Sequence, residues 1–317
     1  HNTRFRPRLV RKWKSSKPHM ESLQLLAIKS LLALSSRLPL NIARALGRAI
    51  GHVYWPIPGR SRRVTEINIA AAFPDRSASE QKRLAKQSML ATCELFMEMG
   101  HVWLKPWDYV AGLITQVHGV ELIEGAQERG RGVILLAPHL GNWEVIGLHL
   151  GTLGETVSLY QPPKVAGLGP IIKKARQSSG ATLVPTNSRG LAQLLRCVKN
   201  GGISGILPDQ APSDLNSGQN SPFMGVECFT GTLASNMIRR TGALAVFGYA
   251  RRVPGGFSVH YEAADSDIYD ADTAVSLKAV NLGVERALES CVEQYQWEYK
   301  RFNTRPAGES KIYAKQD

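Results

Sequence analysis

Two side chains with acid–base chemistry stand five positions apart in RGVILLAPHLGNWEVIGLHL, residues 131–150. They are His139 and Glu144. An imidazole titrates close enough to neutrality to take a proton from an alcohol. It does so more effectively when a carboxylate holds its far ring nitrogen, fixing the tautomer and stabilising the imidazolium. Residues five apart on one straight helix do not face each other. One in a turn and one in the first helical turn do, because the chain reverses between them. No Gly-x-Ser-x-Gly elbow supplies a serine nucleophile, so the simplest scheme is direct attack by an activated substrate hydroxyl. The same pair also fits a purely structural hydrogen bond.

The elements around the pair set its position. Val133 to Ala137 is a short apolar run suited to a strand covered on both faces. Pro138 ends the ladder because it has no N–H to donate. Gly141 and Asn142 suit a turn and a helix N-cap. Trp143 to Leu150 reads as a helix, leaving His139 at the carboxyl end of the strand, where open α/β sheets place their ligands. The free N–H groups at Gly141 and Asn142 are candidates to hold an oxyanion. Further along, Gly205 to Leu207 reads as another buried strand, followed by Pro208, Asp209 and Gln210 on the same rim. Asp209 is expected either to cap its turn or to pair with Arg176.

Four stretches resemble the lipid A late acyltransferases, a branch of the glycerolipid-type acyltransferases with a His-x4-Asp/Glu motif. HLGNWE carries that motif. GILPDQAP (205–212) is similar to the family's Pro-Asp-Gln segment. PFMGVECFTGTLASNMIRRTGA (222–243) is similar to the Gly-rich stretch that follows it. QYQWEYKRFNTRP (294–306) is similar to the C-terminal signature. RRVTEINIAAAFP (62–74) fits as well. The resemblance implies an acyl thioester on acyl carrier protein as donor and a hydroxyl of a lipid A precursor as acceptor. It implies no cofactor and no metal, and a place on the cytoplasmic face of the bacterial inner membrane. His139 is then the general base, oriented by Glu144, and Arg176, Asp209, Gln210 and Asn142 are the substrate-binding candidates. Arg176 aligns with an arginine used in the family's active site; a guanidinium there would hold a phosphate or the thioester oxygen.

The resemblance and the pattern together imply an α/β fold. A mixed central sheet is flanked by helices and preceded by an N-terminal helical membrane-associating element. The chain has 317 residues and a net charge of +13. Seven cations and no acid lie in residues 1–19, which read as an expression leader; the remainder carries +6. That excess favours acidic lipid, phosphate or an acidic carrier protein. Residues 20–58 are the membrane-associating segment, 59–306 the catalytic domain and 307–317 a loose tail. No stretch of 18 uncharged apolar residues occurs in 20–55, so a clean span is not expected; the pattern fits a helix in the interface or one packed on the domain, and the resemblance implies the membrane. Lys29, Arg37, Arg44 and Arg48 fall within an arc of roughly 100° at 3.6 residues per turn, which suggests a basic stripe opposite a Leu-rich face, with Pro39 breaking the helix.

Strands are expected over 117–122, 155–160 and 181–185, helices over 63–73, 79–104, 171–178, 190–200 and 274–295, and a hairpin over 244–263. Residues 211–221 read as a polar loop over the cleft. The four cysteines form no C-x-x-C pair, which removes zinc and thioredoxin-like readings and suggests a reducing compartment. Cys228 is the one candidate nucleophile. Two other functions remain open at this stage. One is acylation of another anionic lipid, such as a phosphatidylinositol mannoside or glycerol phosphate, although the Glu-Gly-Thr-Arg segment of the glycerol-phosphate branch is missing. The other is a non-catalytic basic module; no helix-turn-helix, zinc finger or ribonucleoprotein motif supports nucleic-acid binding.

Overall fold

The computed structural model describes residues 18–314. Apart from Pro18 and His19, the expected leader lies outside the described residues. Four N-terminal helices come first: α1 (Pro18–Arg37), α2 (Leu40–Tyr54), α3 (Arg60–Ala72) and α4 (Ala78–Leu104). Pro39 separates α1 from α2, as a residue without a donor N–H should. Helix α4 starts with a capping box, Ser77 and Glu80 satisfying each other's backbone N–H groups. Helices α1, α2 and α3 all pack on α4. Gly47 lets α2 approach closely, since a Cβ there would sit 2.7 Å from the carbonyl oxygen of Cys93.

The α/β body follows: α5 (Trp107–Ala111), β1 (Ile114–His118), α6 (Glu121–Glu128), β2 (Val133–Leu136), α7 (Trp143–Leu150), β3 (Val157–Tyr160), α8 (Gly169–Gln177), β4 (Thr182–Pro185), α9 (Ser188–Lys199) and β5 (Ile203–Ile206). It continues with β6 (Gly218–Phe223), β7 (Val226–Gly231), α10 (Leu233–Thr241), β8 (Leu244–Val253), β9 (Gly256–Ala263) and α11 (Thr273–Leu288). The main sheet has strand order β1-β9-β8-β2-β5. Only β8 and β9 pair antiparallel within it, so the sheet is mixed as expected. The parallel pair β3-β4 adjoins β5 through a bridge between Thr156 and Ile203.

Strand β2 is buried on both faces, which explains its unbroken apolar run. Val133 and Leu135 join a core with Val145 and Ile146 of α7 and Phe257 of β9. Ile134 and Leu136 point the other way, into a core with Leu194 of α9, Met237 of α10 and Val280 of α11. The alternation follows from the two-residue period of a strand.

Several boundaries differ from the sequence reading. The strand expected over 117–122 ends at His118, because Gly119 adopts a positive φ of 75° and turns the chain into α6. The expected loop over 211–221 holds through Ser217, but residues 218–221 belong to a hairpin, β6-β7, closed by Met224 and Gly225 with φ of 51° and 74°. Two consecutive positive φ values match the twist that a two-residue hairpin requires. The helix expected over 274–295 stops at Leu288. The basic stripe of the N-terminal helices loses one member: Lys29, Arg37 and Arg48 stay exposed, but Arg44 does not. Arg44 turns inward to the buried Glu98 and to the carbonyls of Val253 and Gly256, and Arg48 pairs with Glu94. These ion pairs hold α2 to α4 and to the β8-β9 turn. Beside the exposed Lys29, Arg37 and Arg48, α1 and α2 expose many apolar side chains: Leu23, Leu26, Leu34, Ile42, Leu46, Ile50 and Val53. No described helix is long and apolar enough to cross a membrane.

Candidate active site

Strands β2 and β5 lie side by side in parallel, with Leu136 opposite Ile206. Each runs into the same short pattern: one more apolar residue, a proline, then a polar residue. Ala137-Pro138-His139 follows β2, and Leu207-Pro208-Asp209 follows β5. Three residues past a register pair, His139 and Asp209 are therefore opposite each other. His139 Nδ1 lies 2.9 Å from Asp209 Oδ1, and the His139 backbone N–H donates to Asp209 Oδ2 at 2.9 Å.

Asp209 is 2% exposed at its side chain, while His139 keeps 14%. Burial works to raise the Asp209 carboxyl, but the charge of His139 and the two hydrogen bonds overcome it and hold the carboxyl below its ordinary range. A carboxylate accepts only, so Nδ1 presents an N–H to it, and in the neutral ring Nε2 carries the lone pair. That lone pair accepts from Gln210 Nε2 at 3.2 Å, and the same amide donates to Gln296 Oε1 at 3.0 Å.

The acid expected to orient His139 is therefore displaced. Glu144 does not contact the imidazole; it forms a two-pronged ion pair with Arg176, at 2.8 Å from Nε and 2.6 Å from Nη2. The expected Asp209–Arg176 pairing is replaced for the same reason, each partner being engaged elsewhere. Helix geometry explains the swap. Glu144 falls in the first turn of α7, on the side that faces α8, and α8 carries Arg176.

The backbone donors also differ from expectation. Gly141 N–H bonds Gln294 O at 3.0 Å, and Asn142 N–H bonds Ala250 O at 2.8 Å. Neither is free for an oxyanion. The Asn142 side chain is fully buried, accepting from Val145 N–H and donating to Glu98 Oε2 at 3.0 Å, so it positions the turn and does not reach substrate. Gly141 itself has φ of 59°, and a Cβ there would lie 2.1 Å from Ala250 O. Gly141→Ala should therefore cost ~2–4 kcal/mol of stability and most of the activity. Equilibrium urea unfolding, with transfer rates on the folded fraction, checks this.

A mainly apolar cavity of ≈ 640 Å³, open mouth included, lies beside the turn. Leu135, Leu150, Leu159, Leu183 and Ile206 line it, and Glu144 and Arg176 stand in its wall. Trp143 belongs to both places: it lines the cavity, and its ring meets His139 edge-on with centroids 5.0 Å apart. Cys228 is fully buried in the β6-β7 hairpin, and burial pushes its thiol up, both of which oppose a nucleophilic role.

Residues 294–298 pack against the His139 turn. Gln296 N–H donates to the His139 carbonyl at 3.0 Å, and Leu140 bridges to Tyr295. Tyr295, 3% exposed, has its phenol pushed well up by burial and then by Asp209. The sequence signal for this segment was QYQWEY, polar residues alternating with aromatics, of which Tyr295 and Trp297 are buried.

A family model described as bacterial lipid A biosynthesis acyltransferase matches residues 11–304. The lipid A biosynthesis palmitoleoyltransferase of Escherichia coli (strain K12) is 24% identical over 279 residues, 87% of this chain and 90% of that protein. The lauroyltransferase of the same organism is 25% identical over 283 residues, 88% and 90% of the two chains. A lipid A biosynthesis acyltransferase of Haemophilus influenzae is 23% identical over 276 residues, 86% of this chain and 84% of that protein.

Proposed function

From the chain's membership of the bacterial lipid A biosynthesis acyltransferases, shown by a match across residues 11–304, we propose a specific reaction. The enzyme transfers a fatty acyl chain from acyl carrier protein to a hydroxyl of a 3-hydroxyacyl chain on a lipid A precursor. The observation that carries the chemistry is the His139–Asp209 contact, with Nδ1 2.9 Å from Oδ1 and Nε2 turned away.

The steps follow from that geometry. The acyl tail enters the apolar cavity, which places the thioester carbon near Trp143 and Arg176. The acceptor hydroxyl displaces the Gln210 amide from His139 Nε2. Its proton passes to Nε2 as its oxygen bonds the carbonyl carbon, and Asp209 steadies the imidazolium. The carbonyl electron pair moves to oxygen, where the Arg176 guanidinium offsets the charge. Two of its three nitrogens are held by Glu144, so it is oriented before substrate arrives. When the intermediate collapses, the C–S bond breaks and the departing thiolate takes the proton from Nε2. No covalent acyl-enzyme forms. Base catalysis of this kind contributes about 10²–10⁴-fold.

The same reading assigns the exposed apolar face of α1 and α2 to the lipid surface, at the cytoplasmic face of the inner membrane. Val53 is 72% exposed and Leu46 lies about two turns before it on the same face. An amphipathic helix of this kind lies in the headgroup layer. Leu46→Glu with Val53→Glu should sharply reduce co-sedimentation with anionic vesicles and leave turnover of detergent-dispersed substrate unchanged. Undiminished sedimentation would assign the face to something else. Lipid A mass spectrometry of cells with and without the gene tests the reaction: loss of one acyl chain on deletion supports it, an unchanged profile opposes it.

A further inference from the structure

The excess positive charge of the chain is concentrated in one place. Residues 156–208 hold seven cations and no aspartate or glutamate, so the rest of residues 20–317 carries a net −1. The stretch folds as one unit: β3 and β4 pair, and α8 and α9 both pack on β4. It also forms one side of the apolar cavity, through Leu159, Arg176 and Leu183.

Arg176 is engaged by Glu144. The other six cations are Lys164, Lys173, Lys174, Arg189, Arg196 and Lys199. All six are exposed, and among the described residues none meets a carboxylate at ion-pair distance. Like charges gathered without counter-charge repel one another and attract an acidic partner.

Three anionic partners come with the reaction: membrane lipid, acceptor phosphate and carrier protein. A lipid surface is held by cations together with exposed apolar side chains. Of the large apolar side chains in 156–208 only Leu207 is exposed, whereas α1 and α2 supply that combination elsewhere. A phosphate site gathers its donors at one point; these cations are spread over α8, α9 and the loop before α8. An acidic protein surface needs only a broad field of opposite sign.

Within the unit, α8 stands nearest the thioester. Its Arg176 is in the cavity wall. Ile171, Lys174 and Ser178, three and four residues apart on one helix face, line a separate groove opposite Trp103, Lys105 and Trp107. Asp108 is the one acid in that lining. Groove and cavity are thus divided by α8, about 10–12 Å across with its side chains, which is the distance a carrier's thioester arm has to bridge.

We propose that the basic face of α8, Lys173 and Lys174 with Lys105 across the groove, is the docking surface for the acidic acyl carrier protein. The remaining cations of 156–208 steer its approach. This rests on the acyl-transfer reading above.

The test uses the full-length enzyme carrying Lys173→Glu with Lys174→Glu. The KM for the carrier thioester should rise about tenfold at low salt, while kcat and the acceptor KM stay within about twofold. The KM for an acyl thioester of pantetheine alone, which has no protein to dock, should also stay within about twofold. Added salt should raise the wild-type carrier KM more steeply than the variant's, because screening removes only what charge supplies. Lys173→Arg with Lys174→Arg should behave as wild type. Both lysines are exposed and unpaired, so the melting temperature should move by no more than about 2 °C. An unchanged carrier KM, or an equal rise with the pantetheine thioester, would overturn the proposal. So would a rise confined to the acceptor KM, which would assign the lysines to its phosphates, or a loss of vesicle co-sedimentation with the carrier KM unmoved, which would assign them to the membrane. Calorimetric binding of acyl-loaded carrier reads the contact without turnover. An active wild type whose glutamate variant binds carrier equally well refutes this inference alone. A wild type that neither binds the carrier nor takes its thioester refutes the reading beneath it, and this with it.

Discussion

Asp209→Asn should lower kcat by about 10⁴-fold while the protein still folds. The amide keeps an oxygen for the His139 backbone N–H but presents an NH₂ group to Nδ1. The imidazole must then accept at Nδ1 and carry its proton on Nε2. The lone pair needed by the acceptor hydroxyl is on the wrong nitrogen, and the imidazolium loses its counter-charge. His139→Ala should fall at least as far. The combined His139→Ala, Asp209→Asn variant should be little worse than either alone, since residues acting as one unit are not additive. Losses that multiply in the double variant would show that the two act separately. Acid sensitivity follows the same contact. The folded Asp209 carboxyl titrates below its unfolded value, so its contribution is complete above about pH 3.9 and disappears as the pH falls towards the folded value.

Arg176→Ala should lower kcat about 10²–10³-fold and cost about 3 kcal/mol of stability. The first effect removes the charge facing the thioester oxygen. The second leaves Glu144, 4% exposed at its side chain, without a partner. Arg176 is itself one-third exposed, which keeps the penalty at the lower end for a broken buried pair. Arg176→Lys should rescue stability in part and activity little, because an ammonium cannot span both carboxylate oxygens. Stopped-turnover assays and urea melts on the same samples separate the two effects. Glu144→Gln gives a further contrast: it should weaken Arg176 while leaving the His139–Asp209 contact intact. If its loss of kcat matched that of Asp209→Asn, Glu144 would have to act on the imidazole after all.

Local segments with one strong rule were legible in the sequence. The run VILLAP gave β2, Gly141-Asn142 gave the turn and cap, Pro39 gave the helix break, and Pro254-Gly255-Gly256 gave the β8-β9 hairpin. The partner of His139 was not legible. Spacing along the chain favoured Glu144, five residues away, whereas the partner is fixed by which strand lies beside β2. The offset of 70 residues between Val133 and Ile203 carries straight through to His139 and Asp209. The repeated strand-proline-polar pattern was present in both segments, but only strand adjacency gives it meaning. Arg44 misleads for a similar reason: a helical wheel reports a common face and not which neighbour the face meets. The β6-β7 hairpin escaped because Pro222 and polar residues interrupt its alternation.

The most direct measurement of the central claim is a mass spectrum of lipid A precursor after incubation with the purified chain and acyl-loaded carrier protein. Wild-type protein should add one acyl chain to the lipid, with no mass gain on the enzyme, and His139→Ala should add none. Undiminished acylation by His139→Ala, or an acyl group left on the protein, would contradict the account.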